Sequence, residues 1–173
     1  MNLQDLREQI PNFAKDIKLN LETLLNPEGI PGLSPLQSAA IALACAYAVQ
    51  EMDLASAIRS DLHITSEVDE AAKGAASIMA MNNVYYRSMH LIEDQEIAKL
   101  PAKLRMNIIG KPGIPKVDFE LMSLAVSAIS GCGMCINAHI NEVKKQGVTN
   151  EGIHSAIRIG SVVNAAQQAL RLK

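Results

Sequence analysis

The 173-residue sequence contains no tryptophan, two phenylalanines and three tyrosines. Aliphatic side chains and methionine must therefore fill the core, and because alanine, leucine and methionine favour helices, a sheet-rich fold is not expected. A long apolar run is also missing, since the stretch 39–49 is too short to span a bilayer. These absences predict an all-α protein with no significant β-sheet and no membrane partner.

A strong excess of charge of either sign is missing as well, because the formal net charge is −2. No basic cluster stands beside aromatic residues, so we do not expect a nucleic-acid partner. The N-terminal residues Met1 to Asp5 show no basic segment followed by an apolar one, as an export signal would. We therefore expect a cytoplasmic protein.

The chain contains only three cysteines, which is a small and odd number. A framework of structural disulfides is improbable for such a count in a chain expected to be cytoplasmic. Cys45 stands alone among alanines, leucine and isoleucine and is interpreted as a small buried apolar side chain. The other two cysteines form a close pair, which favours catalytic or metal chemistry.

Apolar spacing and turn residues divide the chain into helices. Ser34, Pro35 and Gln37 form a capping box with proline at the first helical position, which predicts a buried helix from Pro35 to about Gln50. Pro11 predicts a break in the N-terminal helical region. The remaining predicted helices cover 53–61, 67–91, 117–130, a segment ending near 146, and 150–170.

Two segments rich in proline and glycine, 26–34 and 110–115, each precede an apolar helix. The helices predicted after the first segment recur in the same order after the second segment. This pattern predicts a single domain over residues 1–173, built from a duplicated helical unit. The first half, residues 1–110, has no cysteine pair. The second half, residues 111–173, carries it.

The cysteine pair lies in the sequence GCGMCINAH, which covers residues 131–139. If a helix begins near Cys132, the spacing to Cys135 and His139 places all three side chains on one stripe. A helix N-terminus favours the thiolate form of a cysteine. One thiol can then attack a substrate while the other resolves the product to a disulfide.

His139 is one helical turn beyond Cys135 and is suited to accept its proton. Glu120 is predicted to orient the imidazole, because a carboxylate among apolar residues needs a partner. We assign catalytic roles to Cys135, Cys132, His139 and Glu120, and no residue to a metal or bound cofactor. Cys132 is expected to be the more exposed cysteine because it is nearer the helix start. A zinc site formed by the pair with His139 and His154 is an alternative.

Glu120 lies twelve residues before Cys132, which begins a Cys-x-x-Cys motif with a histidine four residues after its second cysteine. This pattern resembles the alkyl hydroperoxide reductase D (AhpD) family, within the carboxymuconolactone decarboxylase-like superfamily. The resemblance implies an all-α homo-trimer with the cysteines near a subunit interface. It also implies a peroxidase that reduces alkyl hydroperoxides or hydrogen peroxide. Its disulfide would be re-reduced by dihydrolipoyl groups of lipoylated acyltransferases, which NADH recharges indirectly.

In this family the dithiol can instead pass electrons to a partner peroxiredoxin, so an electron adaptor or disulfide reductase is an alternative function. A lyase of the same ancestry and a zinc-stabilised binding module are further alternatives. The sequence departs from the best-known members at Gly133 and Met134, where they place a histidine between the cysteines. The imidazole that would assist Cys132 is therefore absent.

Overall fold

A computed structural model describes residues 1–26 and 30–173. Within these residues the chain is helical and contains no strand, which confirms the predicted all-α class. The turn predicted over 26–34 lies partly outside the described residues. The α-helices are α1 (Leu3–Glu8), α2 (Lys15–Leu25), α3 (Pro35–Ala48), α4 (Met52–Asp61), α5 (Ser66–Leu91), α6 (Gln95–Ala98), α7 (Asn107–Gly110), α8 (Lys116–Ser130), α9 (Gly133–Lys145) and α10 (Asn150–Arg171).

The helix boundaries follow local capping rules. The predicted capping box at the start of α3 is present, since the Ser34 side chain accepts from the Gln37 backbone and the Gln37 side chain accepts from Ser34 N. The predicted break at Pro11 is also present, because α1 ends before Pro11 and a short 3₁₀-helix lies between Pro11 and α2. Local sequence therefore defined most of these boundaries.

Helices α3 and α8 pack against each other and each packs against α5 and α10, so these four helices form the centre of the molecule. Residues 39–46 of α3 are all buried, as expected for a helix surrounded by others. Helix α10 approaches α8 closely at Gly160, where a Cβ atom would lie 2.9 Å from the Ala125 carbonyl oxygen. Helix α9 packs on α8 and α5 and so lies at one side of this core.

The core is aliphatic, with Phe119 as its one large aromatic side chain among the most deeply buried residues described. Cys45 is completely buried in it, which confirms its interpretation as a core residue. Burial raises the pKa of the Cys45 thiol well above its usual range. Cys45 is therefore held as an unreactive thiol at neutral pH.

The contacts of the two predicted halves are alike. Helix α3 packs against the following α4 and α5, and α8 packs against the following α9 and α10. The duplication and the division at residue 110 both stay predictions. In the described part of the chain, no helix combines the length and apolarity needed to cross a membrane.

Candidate active site

The cysteine pair lies where the chain turns from α8 into α9. Gly131 ends α8 with a φ of 68°, a left-handed conformation that glycine adopts without strain. The Cys132 backbone N–H donates to the Ser127 carbonyl, and the Arg87 guanidinium donates to the Ser130 carbonyl. The corner is therefore held by hydrogen bonds on both sides of Gly131.

Cys132 is the N-cap residue of α9, and its Sγ accepts a hydrogen bond from the Cys135 backbone N–H at 3.3 Å. The predicted start of the helix is thus confirmed. The two cysteines form a disulfide with a Cα–Cα separation of 5.3 Å. The pair is therefore close enough to interconvert between a dithiol and a disulfide.

The expectation that Cys132 is the more exposed cysteine is wrong, because Cys132 is 0% exposed and Cys135 is 6% exposed. The Cys132 sulfur folds back over the first turn of α9, and the packing around the corner between α8 and α9 covers it. Cys135, one turn into α9, lies on the face that borders a cavity. Of the two cysteines, only Cys135 lines that cavity.

Glu120 of α8 and His139 of α9 meet in the interior. Glu120 Oε2 lies 2.6 Å from His139 Nδ1, and the two residues are 2% and 8% exposed. The imidazole supplies the partner that a carboxylate in an apolar environment requires. The catalytic roles of both residues stay predictions.

The second ring nitrogen of His139 contacts Met79 rather than a cysteine. His139 Nε2 lies 3.2 Å from Met79 Sδ. A thioether sulfur can only accept, so this contact is a hydrogen bond in the form with hydrogen on Nε2. Among the described residues no hydrogen bond joins His139 to Cys135, although both line the same cavity. Direct proton transfer from Cys135 to His139 therefore requires a rearrangement once the disulfide is reduced.

The cavity beside Cys135 has a volume of about 320 Å³ and a mostly apolar wall. At its edge, Met134 is 45% exposed. The Glu142 carboxylate also lines it and pairs with Lys145 at 2.6 Å and Lys116 at 3.3 Å, which together hold the pKa of Glu142 below its usual value. The lining residues are Met79, Asn82, Tyr86, Met106, Ile109, Glu120, Met134, Cys135, Ala138, His139 and Glu142.

Sequence reasoning missed the contribution of α5. Met79 contacts His139, and the Asn82 backbone carbonyl lies 3.9 Å from Cys135 Sγ. The only sequence signal for this wall was the pair of asparagines at 82 and 83 within a helix rich in alanine and methionine. Polar residues on an otherwise apolar helix face indicate a function or a buried partner.

The structure does not bring His154 to the cysteine pair. His154 lines a different cavity, together with Asn20 and Leu24. Among the described residues, no three or more histidine, cysteine, aspartate or glutamate side chains are grouped to hold a metal ion. The four ligands of the zinc alternative are therefore not assembled.

The arrangement suits thiol–disulfide chemistry on a small or slender substrate. A disulfide at a helix N-terminus borders an apolar cavity that also contains a buried carboxylate–imidazole pair. In the reduced form, the Cys135 thiol would lie at the cavity wall and the Cys132 thiol behind it.

At the level of protein class, residues 95–172 match the carboxymuconolactone decarboxylase family. The similarity to individual proteins is closer and covers almost the whole chain. Alkyl hydroperoxide reductase AhpD of Hyphomonas neptunium is 52% identical over 172 residues, which are 98% of this chain and 94% of that protein. The proteins of the same name from Brucella anthropi and Coxiella burnetii are 46% and 49% identical, over 98% and 96% of this chain and 97% and 95% of their own lengths. The chain belongs to the AhpD family.

Proposed function

We propose that this protein is a thiol-dependent antioxidant oxidoreductase that reduces alkyl hydroperoxides and hydrogen peroxide through Cys132 and Cys135. The observation that carries the proposal is the disulfide whose Cys135 borders a cavity shared with His139 and Glu120. The names of the relatives, alkyl hydroperoxide reductase, support the same activity. The same observations favour an oxidoreductase over a zinc-binding module.

Oxidation begins at Cys135, the cysteine that the cavity exposes. Its thiolate attacks the terminal oxygen of the hydroperoxide, so that an S–O bond forms and the O–O bond breaks. The alkoxide leaves and takes a proton from His139, which Glu120 orients. The Cys132 thiolate then attacks the sulfenic acid sulfur, and the departing hydroxide takes a proton to leave as water.

The disulfide is reduced through the same cavity, because Cys132 is buried. A dihydrolipoyl thiolate attacks Cys135 Sγ, the disulfide breaks, and Cys132 leaves as the thiolate. The second lipoyl thiol then displaces Cys135 and closes the oxidised lipoyl ring. Had Cys132 been the more exposed cysteine, as the sequence led us to expect, this attack would have fallen on Cys132 instead. The donor would be a lipoylated acyltransferase, with NADH as the indirect electron source.

A second function, electron transfer from the dithiol to a peroxiredoxin, is favoured by two observations. His139 Nε2 is engaged by Met79, and Met134 replaces the imidazole found between the cysteines in the best-known relatives. Both features weaken proton transfer to the peroxide and leave disulfide exchange intact. In either function we propose a cytoplasmic homo-trimer. Exposed apolar side chains of α5, of α6 and of the residues just after it, which an assembly of subunits would cover, are Val84, Leu91, Ile97 and Leu100.

The test is a coupled assay in which lipoamide and dihydrolipoamide dehydrogenase link peroxide consumption to NADH oxidation. The wild type should consume NADH only when both lipoamide and peroxide are present. Cys135→Ser should be inactive, whereas Cys132→Ser should react once and accumulate a sulfenic acid that dimedone traps. Cys45→Ala, a change in the core away from the site, is the matched control and should retain turnover.

Full turnover by both active-site variants would contradict the proposal. Turnover that appears only after a peroxiredoxin is added would assign the electron-adaptor function instead.

A further inference from the structure

Two adjacent asparagines of α5 are buried, and they differ in their partners. Asn83 is 1% exposed; its Oδ1 accepts a hydrogen bond from Ser127 Oγ at 2.9 Å, whereas its Nδ2 has no partner among the described residues. Asn82 is 4% exposed, and its Oδ1 is buried with no hydrogen-bond partner within residues 1–26 and 30–173. A buried amide oxygen without a partner is destabilising, so its presence needs an explanation other than packing.

The position of Asn82 supplies that explanation. Asn82 lines the cavity that Cys135 and His139 also line, and its backbone carbonyl lies 3.9 Å from Cys135 Sγ. Asn82 and the sulfur that reacts therefore border the same cavity. The terminal torsion of asparagine is broad, so a small rotation can turn either amide atom toward the cavity.

We propose that Asn82 is the residue that binds the hydroperoxide group, a role that rests on the proposed function. Any hydroperoxide carries one O–H donor and two oxygen acceptors, and a primary amide offers the complementary acceptor and donor. The Asn82 amide oxygen accepts the terminal O–H, and the amide NH₂ donates to the inner oxygen. Asn82 is itself unchanged in the reaction.

This hydrogen bond acts on the transition state. As the Cys135 thiolate attacks the terminal oxygen, the electron pair of the O–O bond moves to the inner oxygen, which becomes an alkoxide. The Asn82 NH₂ stabilises that developing negative charge until His139 delivers a proton. Much of the remaining cavity wall is apolar, so Asn82 selects the position of the –OOH group while the wall accommodates the alkyl chain. The apolar lining residues are Met79, Met106, Ile109, Met134 and Ala138.

The test uses Asn82→Leu, which keeps the shape of the side chain and removes both of its polar atoms. Oxidation of this variant by peroxide and its reduction by dihydrolipoamide are measured separately. Pre-reduced protein is mixed with tert-butyl hydroperoxide or hydrogen peroxide, and the second-order rate constant of oxidation should fall about tenfold to a hundredfold, as expected for the loss of a hydrogen bond to a charged group. Reduction of the oxidised protein by dihydrolipoamide should be unchanged. The thermal stability of the variant should be equal or higher, because an unpaired buried polar atom has been removed.

Asn83→Leu is the matched control, since it removes the hydrogen bond to Ser127 and should lower stability without slowing oxidation by peroxide. If Asn82→Leu does not fold, Asn82→Ala is measured in the same way. Unchanged oxidation of the Asn82 variant, or an equal loss in both half-reactions, would overturn the assignment and leave the proposed function standing. A wild type that no peroxide oxidises would overturn the proposed function, and the assignment of Asn82 with it.

Discussion

The pairing of Glu120 with His139 predicts that the two side chains act on Cys135 as one unit. We consider Glu120→Gln, His139→Ala and the double variant, each in a Cys132→Ser background so that Cys135 is the one cysteine of the pair. On the proposed function, the Glu120 carboxylate of the reduced protein orients the imidazole that withdraws the Cys135 proton. Either single change should therefore reduce the fraction of Cys135 present as thiolate.

The magnitude follows from the geometry of the pair. The 2.6 Å contact joins groups that are 2% and 8% exposed, so solvent screens their interaction little. Hydrogen bonds to charged groups contribute about 1.5–3 kcal/mol, and about 1.4 kcal/mol corresponds to a factor of ten. Each single variant should therefore slow alkylation of Cys135 at neutral pH by about ten- to a hundredfold. The double variant should lose little more than either single variant, because both remove the same interaction.

The assay is the rate of alkylation by iodoacetamide as a function of pH, with unfolding by urea as a separate measure of stability. The midpoint of the rate profile should move to higher pH in all three variants. Glu142→Gln is the control, because it removes another carboxylate of the same cavity that is paired at the surface. It should leave the profile in place. If the effects of the single variants add in the double variant, the two residues do not act as a unit.

Two further predictions concern stability. Burial acts to raise the pKa of Asp69, but hydrogen bonding led by Lys73 outweighs it and the pKa lies below its usual value. The resulting stabilisation is present above about pH 4 and is lost as pH falls through the lowered pKa. Asp69→Asn should therefore lower the free energy of unfolding by about 1–3 kcal/mol at neutral pH and by progressively less in acid. A cost that does not change with pH in urea unfolding would contradict this. Gly152→Ala would place a Cβ 2.5 Å from the Gly32 carbonyl oxygen and should lower stability by about 1–3 kcal/mol, whereas Gly110→Ala meets no atom within 4 Å and should not. Equal melting temperatures for these two variants would refute the close backbone approach.

The sequence by itself determined the features that depend on a few neighbouring residues. The capping box of Ser34 and Gln37 defines the start of α3, and Gly131 followed by Cys132 defines the corner before α9. The spacing of Cys132, Cys135 and His139 could also be interpreted locally, because the helical period relates residues three and four apart. The family resemblance depended on the same short pattern together with Glu120.

The tertiary structure decided which of these side chains meet and which are covered. Burial of Cys132 depends on the packing around the corner between α8 and α9, so its position near the helix start was misleading. Met79 and Asn82 enter the site from α5, more than 50 residues before Cys135 in the chain. Capping and periodicity act over about four residues, whereas burial and cavities depend on how distant helices pack. The sequence could therefore predict the stripe of Cys132, Cys135 and His139, but only the packed helices show that the cavity opens on Cys135.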